Sequence, residues 1–180
     1  MIIVIYLIPT FAFPSNPHPK DIPTLEELRS QFPQLGSDEV LLKHETVFEG
    51  YDATNPEIKS VATFIASKAC KTEGRVCYAK ALYYFVRDNF NYVSDPVETE
   101  FVQSPVSMLL TEGGDCDDGT VLLASMLGAV GIKTEFVFAP RHVYVKALLP
   151  DAIKRYKREG DWVFLDWTCS SCDFSRLPNE

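Results

Sequence analysis

Gly113-Gly114-Asp115-Cys116-Asp117-Asp118-Gly119 runs directly into the apolar stretch Val121-Leu122-Leu123-Ala124-Ser125-Met126-Leu127-Gly128-Ala129-Val130. A glycine pair permits a tight turn, and aspartate just ahead of an apolar period is a helix N-cap signal. The stretch therefore reads as a turn that sets Cys116 at the N-terminus of a helix. Peptide N–H groups at that end carry partial positive charge, so the dipole favours an anion and the thiol pKa is expected to fall. Val121, Leu122, Leu123, Met126, Leu127 and Val130 cover too much of the circumference for a surface helix, which makes this one central.

Towards the C-terminus, Gly131 caps the helix and the period changes to two. Lys133 to Ala139, His142 to Leu149 and Trp162 to Leu165 read as strands, and the short turn at Pro140-Arg141 favours antiparallel pairing of the first two. Towards the N-terminus, Ser104-Pro105 opens a short helix that ends at Gly113-Gly114, and Val76 to Phe90 is a longer one. Asn91 to Pro96 is an exit turn between them. Asn55-Pro56 supplies cap and N1 proline for a helix whose buried stripe is Ile58, Val61, Ala62, Ile65 and Ala69, ended by Cys70-Lys71-Thr72-Glu73-Gly74. Thr24 with Glu27 is a capping box. Leu35 to Asp52 has no clear period and is a candidate lid. The fold class is α+β, with helices packed on an antiparallel sheet of at least three strands.

At 180 residues, 46% hydrophobic, the chain suits one well-buried core. A net charge of −8 leaves no broad basic footprint, which argues against a nucleic-acid partner. The one basic cluster, Lys154-Arg155-Tyr156-Lys157-Arg158, reads as a solvated face. Met1 to Phe13 is apolar but too short for a membrane span; it fits the core of a signal peptide, though without preceding basic residues. Residues 1–20 are accordingly expected to be a signal-like segment and proline-rich linker, and 21–180 a single domain with its core at about 56–172. Export or membrane attachment through that N-terminal segment is the expected localisation, with a cytoplasmic chain as the alternative.

Of five cysteines, Cys70 with Cys77 and Cys169 with Cys172 form two close pairs, and Cys116 stands alone. Two local disulfides are expected. The same four as a Cys₄ zinc site, or as reduced thiols, are the alternatives, and no other cofactor is indicated.

Cys116 would be a nucleophile only with a base and an orienting group. His142 opens one strand and Asp166 follows the end of another, and in antiparallel neighbours those ends are adjacent. Imidazole can take the thiol proton and return it to a leaving amine, while the carboxylate orients the ring. The backbone N–H at Cys116 is one candidate oxyanion donor and the Gln103 side chain a second. Taken singly, each residue has a plainer reading: an inert buried thiol, a core histidine, and an aspartate that caps the turn into Thr168. Asp115, Asp117 and Asp118 read as helix caps, without the EF-hand spacing that calcium would require, and their charge opposes a thiolate.

Four motifs in order carry a family resemblance: Gly114-Asp115-Cys116-Asp117-Asp118 before a Leu-Leu-Ala helix, Gly128-Ala129-Val130-Gly131-Ile132, Arg141-His142-Val143-Tyr144-Val145, and Leu165-Asp166-Trp167-Thr168. Over roughly residues 78–172 the chain resembles the transglutaminase-like superfamily. The cysteine pair after the aspartate is similar to an archaeal and bacterial branch. The resemblance implies a papain-like core, Cys116 as nucleophile, His142 as general base and acid, and Asp166 as the orienting carboxylate. Members often carry Gly before the histidine and Trp soon after it, where this chain has Arg141 and Tyr144. The expected activity is thiol-dependent acyl transfer on peptide or side-chain amides of a peptide or protein substrate. Hydrolysis is favoured over cross-linking, since water is the default acceptor and the chain is short beside large cross-linking enzymes. A catalytically silent peptide- or polymer-binding module is the alternative.

Overall fold

The computed structural model describes residues 16–36, 43–44, 46–72, 74–96 and 101–178. The apolar N-terminal segment lies outside them, as do residues 37–42 and 45 of the candidate lid. Among the described residues no helix is long and apolar enough to cross a membrane.

Helix α1 (Leu25–Gln31) starts at the Thr24 capping box, with both reciprocal bonds formed. Strand β1 (Lys43–His44) and the one-turn helix α2 (Val47–Gly50) follow, the latter capped by the Thr46 hydroxyl. Helix α3 (Pro56–Ala69) has the Asn55 side chain on the N–H groups of Glu57 and Ile58. It makes a hairpin with α4 (Arg75–Asn89), closed at the connecting end by the Cys70–Cys77 disulfide. Then come β2 (Asn91–Tyr92), β3 (Val102–Gln103), α5 (Pro105–Thr111), β4 (Gly113–Gly114) and α6 (Cys116–Ala129). The last elements are β5 (Thr134–Ala139), β6 (His142–Leu148), a 3₁₀ turn at Lys154–Tyr156, and β7 (Trp162–Leu165), followed by an irregular tail that holds the Cys169–Cys172 disulfide.

Helix α6 is the centre. Val121, Leu122, Leu123, Ala124, Met126 and Leu127 are all buried, with α3, α4 and α5 packed around it and β6 laid against it. Its breadth of apolar surface, read from the sequence as a mark of centrality, is matched by neighbours on nearly every side. The sheet runs β5-β6-β7, antiparallel throughout, with Ala139 opposite His142 and Val145 opposite Leu165. That register brings the start of β6 and the residue after β7 to one edge, beside the N-terminus of α6.

The structure departs from the sequence reading at short elements. Asn91 and Tyr92 are not merely an exit turn, because they pair in parallel with Gly113 and Gly114. Within the candidate lid, Lys43 and His44 pair with Gln103 and Val102. Two-residue ladders are too short to show a period, so pattern reading misses them. Helix α5 ends at Glu112, whose φ of +63° supplies the left-handed cap expected of the glycines that follow. The four outlying cysteines form two local disulfides, Cys70–Cys77 and Cys169–Cys172, so their sulfurs are bonded to each other in pairs and not gathered as a set of four thiolates.

Arg141, in the β5–β6 turn, has φ +57°. Its Cβ crowds the backbone there, at a cost of about 1–2 kcal/mol, whereas glycine meets no such penalty. Arg141→Gly should therefore raise stability by up to about 1 kcal/mol after the greater freedom of unfolded glycine is counted. Thermal denaturation of the two proteins measures it, and an unchanged or lowered midpoint would show that the turn is unstrained.

Candidate active site

The first turn of α6 is assembled around carboxylates. Asp115 is the N-cap and accepts from the Asp117 N–H at 3.0 Å, while Asp118 reaches back to the Asp115 N–H at 3.1 Å, completing a capping box. Asp118 is buried and also accepts from the Gln103 backbone N–H at 2.7 Å and the Gln103 side-chain amide at 2.9 Å. Gly114 leaves the space this carboxylate needs, since a Cβ there would strike it. Burial raises the Asp118 pKa above the usual carboxylate range, although the bonds from Gln103 and Asp115 act the other way.

Cys116 is the first residue of that helix and the one free cysteine among the described residues. Val47, Val102, Val121 and Val143 surround it as a small apolar cluster. Its Sγ lies 3.2 Å from Asp117 Oδ1. Burial pushes its thiol up to about 12, opposed by the Val143 backbone N–H and reinforced by Asp117 and Asp115. The expected drop in pKa from the helix dipole is thus reversed. Partial charges at a helix end are worth about 0.3–1 kcal/mol, less than the combined cost of an apolar collar and two adjacent carboxylates.

His142, half-buried at the head of β6, lines one cleft with Cys116. Its Nε2 is 2.8 Å from Asp166 Oδ2. Asp166 is 1% exposed, and its other oxygen accepts from the Thr168 N–H at 3.1 Å and hydroxyl at 2.7 Å. The carboxylate therefore caps the turn into Thr168 and holds the imidazole at once. With Nε2 committed to a carboxylate, Nδ1 is the ring nitrogen left for a thiol proton. The Asp166 carbonyl is in turn tied to the Tyr83 hydroxyl at 3.3 Å.

Gln103 is placed apart from this chemistry. Its amide nitrogen donates to Gly113 O at 3.1 Å and to Asp118, and its oxygen accepts from Thr111, so the side chain ties the α6 turn together and does not line the cleft. The Cys116 N–H, at the first helical position, is among those a helix leaves without an intrahelical acceptor. The donor atoms of Asp115, Cys116 and Asp117 lie within 4.8 Å of one another, an acidic grouping whose observed work is capping.

Sequence reading gave no role to Trp167. Its indole covers Gly119, where a Cβ would run into the ring, and its Nε1 donates to Cys116 O at 3.3 Å. It is a latch between the end of the sheet and the cysteine turn. Nothing in one sequence signals this, because the fit joins a missing side chain to a large one 48 positions away. The cleft, about 460 Å³, is also lined by Tyr92, Ser94, Asp95, Phe138 and Arg141.

Two outcomes follow. Gly119→Ala should cost about 1–3 kcal/mol through overpacking against Trp167, read as a lowered denaturation midpoint. Burial, with Asp117 and Asp118 beside it, raises the Asp115 pKa from 3.8 to about 7. A raised carboxylate favours the folded state fully below the unfolded pKa and loses that contribution as pH climbs through the folded one. Stability should therefore fall between roughly pH 4 and pH 7 on account of this group. Asp115→Asn, which keeps an N-cap, should flatten that decline in urea titrations at pH 5 and pH 8; an unaltered slope would remove Asp115 as its source.

No curated protein sequence matches the chain significantly. Among solved structures, a candidate cysteine protease from Cytophaga hutchinsonii is similar at 15% identity and TM-score 0.47, covering 71% of this chain and 43% of its own. EGTA-treated LapG from Legionella pneumophila is similar at 18% identity and TM-score 0.41, covering 74% of this chain and 76% of its own. The chain thus spans under half the length of the first. The family profile matches residues 59–167, more than half of the sequence and a span that holds Cys116, His142 and Asp166: the chain belongs to the transglutaminase-like superfamily.

Proposed function

We propose that the chain is a cysteine hydrolase that cleaves peptide or side-chain amide bonds through an acyl-enzyme on Cys116. One observation carries this reading: Cys116 and His142 line a common cleft while the buried Asp166 occupies His142 Nε2, which leaves Nδ1 as the ring nitrogen able to take the thiol proton. With the thiol raised to about 12, little free thiolate exists at neutral pH. The proton therefore moves to Nδ1 as Sγ attacks the substrate carbonyl carbon, and Asp166 stabilises the imidazolium. The oxyanion accepts from the Cys116 N–H. Collapse breaks the C–N bond, and His142 delivers its proton to the departing amine. Water then attacks the thioester, giving one proton to His142, and the C–S bond breaks to return the thiol and release the acid. Tyr92 and Phe138, 54% and 60% exposed beside the cleft, supply apolar contact for an extended peptide. The two disulfides favour an oxidising compartment, in keeping with export.

The raised thiol also supports a second reading, a cleft that binds peptides without catalysis. Alkylation separates the two. For the enzyme, His142 acting as base should let iodoacetamide modify Cys116 at pH 7 although the resting thiol is protonated, and His142→Ala should abolish that reactivity; modification only at alkaline pH, unchanged in the variant, would leave a silent module. Incubation with mixed peptide amides should give an acyl adduct at Cys116 by intact mass, and Asp166→Asn should slow turnover on the order of 10²–10⁴-fold. Added methylamine distinguishes the acceptor: product acids indicate hydrolysis, and N-methyl amides indicate acyl transfer to amines.

A further inference from the structure

Beside α4, and sharing no lining residue with the Cys116 cleft, is a second cavity of about 450 Å³, lined by His18, Lys80, Tyr84, Arg155, Arg158 and Arg176 together with Asp173. Four separate stretches build it: the residues around His18, helix α4, the 3₁₀ turn with Arg158 after it, and the tail after Cys172. Four cations against one carboxylate is a marked concentration in a chain of net charge −8.

Lys80 is the base of the site. It is 2% exposed, and its Nζ donates to Asn16 Oδ1 at 2.6 Å, Pro17 O at 2.9 Å and the Tyr156 hydroxyl at 3.2 Å. Nζ also stands 4.8 Å from the centre of the Tyr156 ring and 5.6 Å from that of Phe174. All three donors of the ammonium are spent on uncharged oxygens. Among the described residues only dipoles answer this buried charge, and an anion in the adjoining cavity would balance it. The field is felt by Tyr156: burial acts to raise its hydroxyl pKa, yet Arg155 and Lys80 hold it below its ordinary range.

The guanidinium groups form the mouth. Arg155 spends one donor on the Tyr156 hydroxyl at 3.4 Å, and Arg158 reaches Ser175 O at 3.1 Å. Arg176 follows Ser175, whose φ of +69° turns the tail back over the cavity, closed by the bond from Arg176 N–H to Asp173 O at 2.9 Å. Forked donors suit an oxyanion with several oxygens, and a single carboxylate would leave most of this charge unanswered.

We propose that this cavity binds a small phosphate-bearing molecule, with Arg155, Arg158 and Arg176 as donors to phosphate oxygens and Lys80 as the buried charge behind them. The site is independent of the Cys116 cleft. Titration calorimetry of the full chain with inorganic pyrophosphate, at fixed ionic strength, tests it. One saturable site is expected, weakened about tenfold or more by Arg155→Gln or Arg176→Gln, both exposed positions, and unaltered by Lys59→Gln on α3. Citrate, a carboxylate of similar charge, should bind at least about tenfold more weakly. Amide shifts in the unaltered protein locate the site without any substitution, and should concentrate at residues 154–158 and 173–176. Absence of saturable heat, shifts centred elsewhere, indifference to both arginine variants, or equal binding of citrate would each overturn the proposal.

Discussion

The Asp118 carboxylate is the fastening on which the cysteine turn depends. Three N–H donors converge on it, two from Gln103 and one from Asp115, so strand β3, the glycine turn and the first turn of α6 meet at one buried charge. Removing a partner from such a group leaves a charge uncompensated in apolar surroundings, which costs far more than an ordinary hydrogen bond contributes. The position of Cys116, two residues before it, follows from that arrangement. So does the loss of Gln103 as an oxyanion donor, because its amide is consumed in building the turn.

Acidity near the sulfur is the consequence. Capping a helix with aspartates at its first turn is favourable for the helix and unfavourable for a thiolate in the same place. The apolar collar of Val47, Val102, Val121 and Val143 adds to the second effect. The thiol is therefore kept protonated at rest, and in the proposed reaction its nucleophilic character is borrowed from His142. Asp166 serves that arrangement from the opposite side, where Thr168 and Tyr83 fix its position and its burial shields it from water.

Much of this was legible in the residues. Thr24 with Glu27, Asn55 with Pro56, and Ser104 with Pro105 mark helix starts that the structure places there, because caps act locally and need no tertiary context. The three strands emerge from their period for the same reason. The approach of His142 and Asp166 at one edge follows from antiparallel order, and the packing of α6 on β6 brings Cys116 to it. What the sequence conceals is what arises between distant segments: the pairing of Asn91 and Tyr92 with the glycines, the capture of Gln103 by Asp118, and the collar that overrides the helix dipole. The basic cluster at 154–158 shows the same limit. Read alone it is a solvated face, and only the tail and Lys80 make it the wall of a cavity.

Gly119 and Trp167 have an evolutionary consequence. The indole fills the space that a side chain at 119 would take, so the two positions share one volume. A larger residue at 119 fits only with a smaller one at 167, and a smaller residue at 167 alone leaves a void beside the cysteine turn. Their substitutions are epistatic: a lineage that alters one must traverse a clash or a hole before it restores the fit. The pair should thus be inherited as a unit, and its exchange for another would mark a branch point within the superfamily more sharply than any change at the surface.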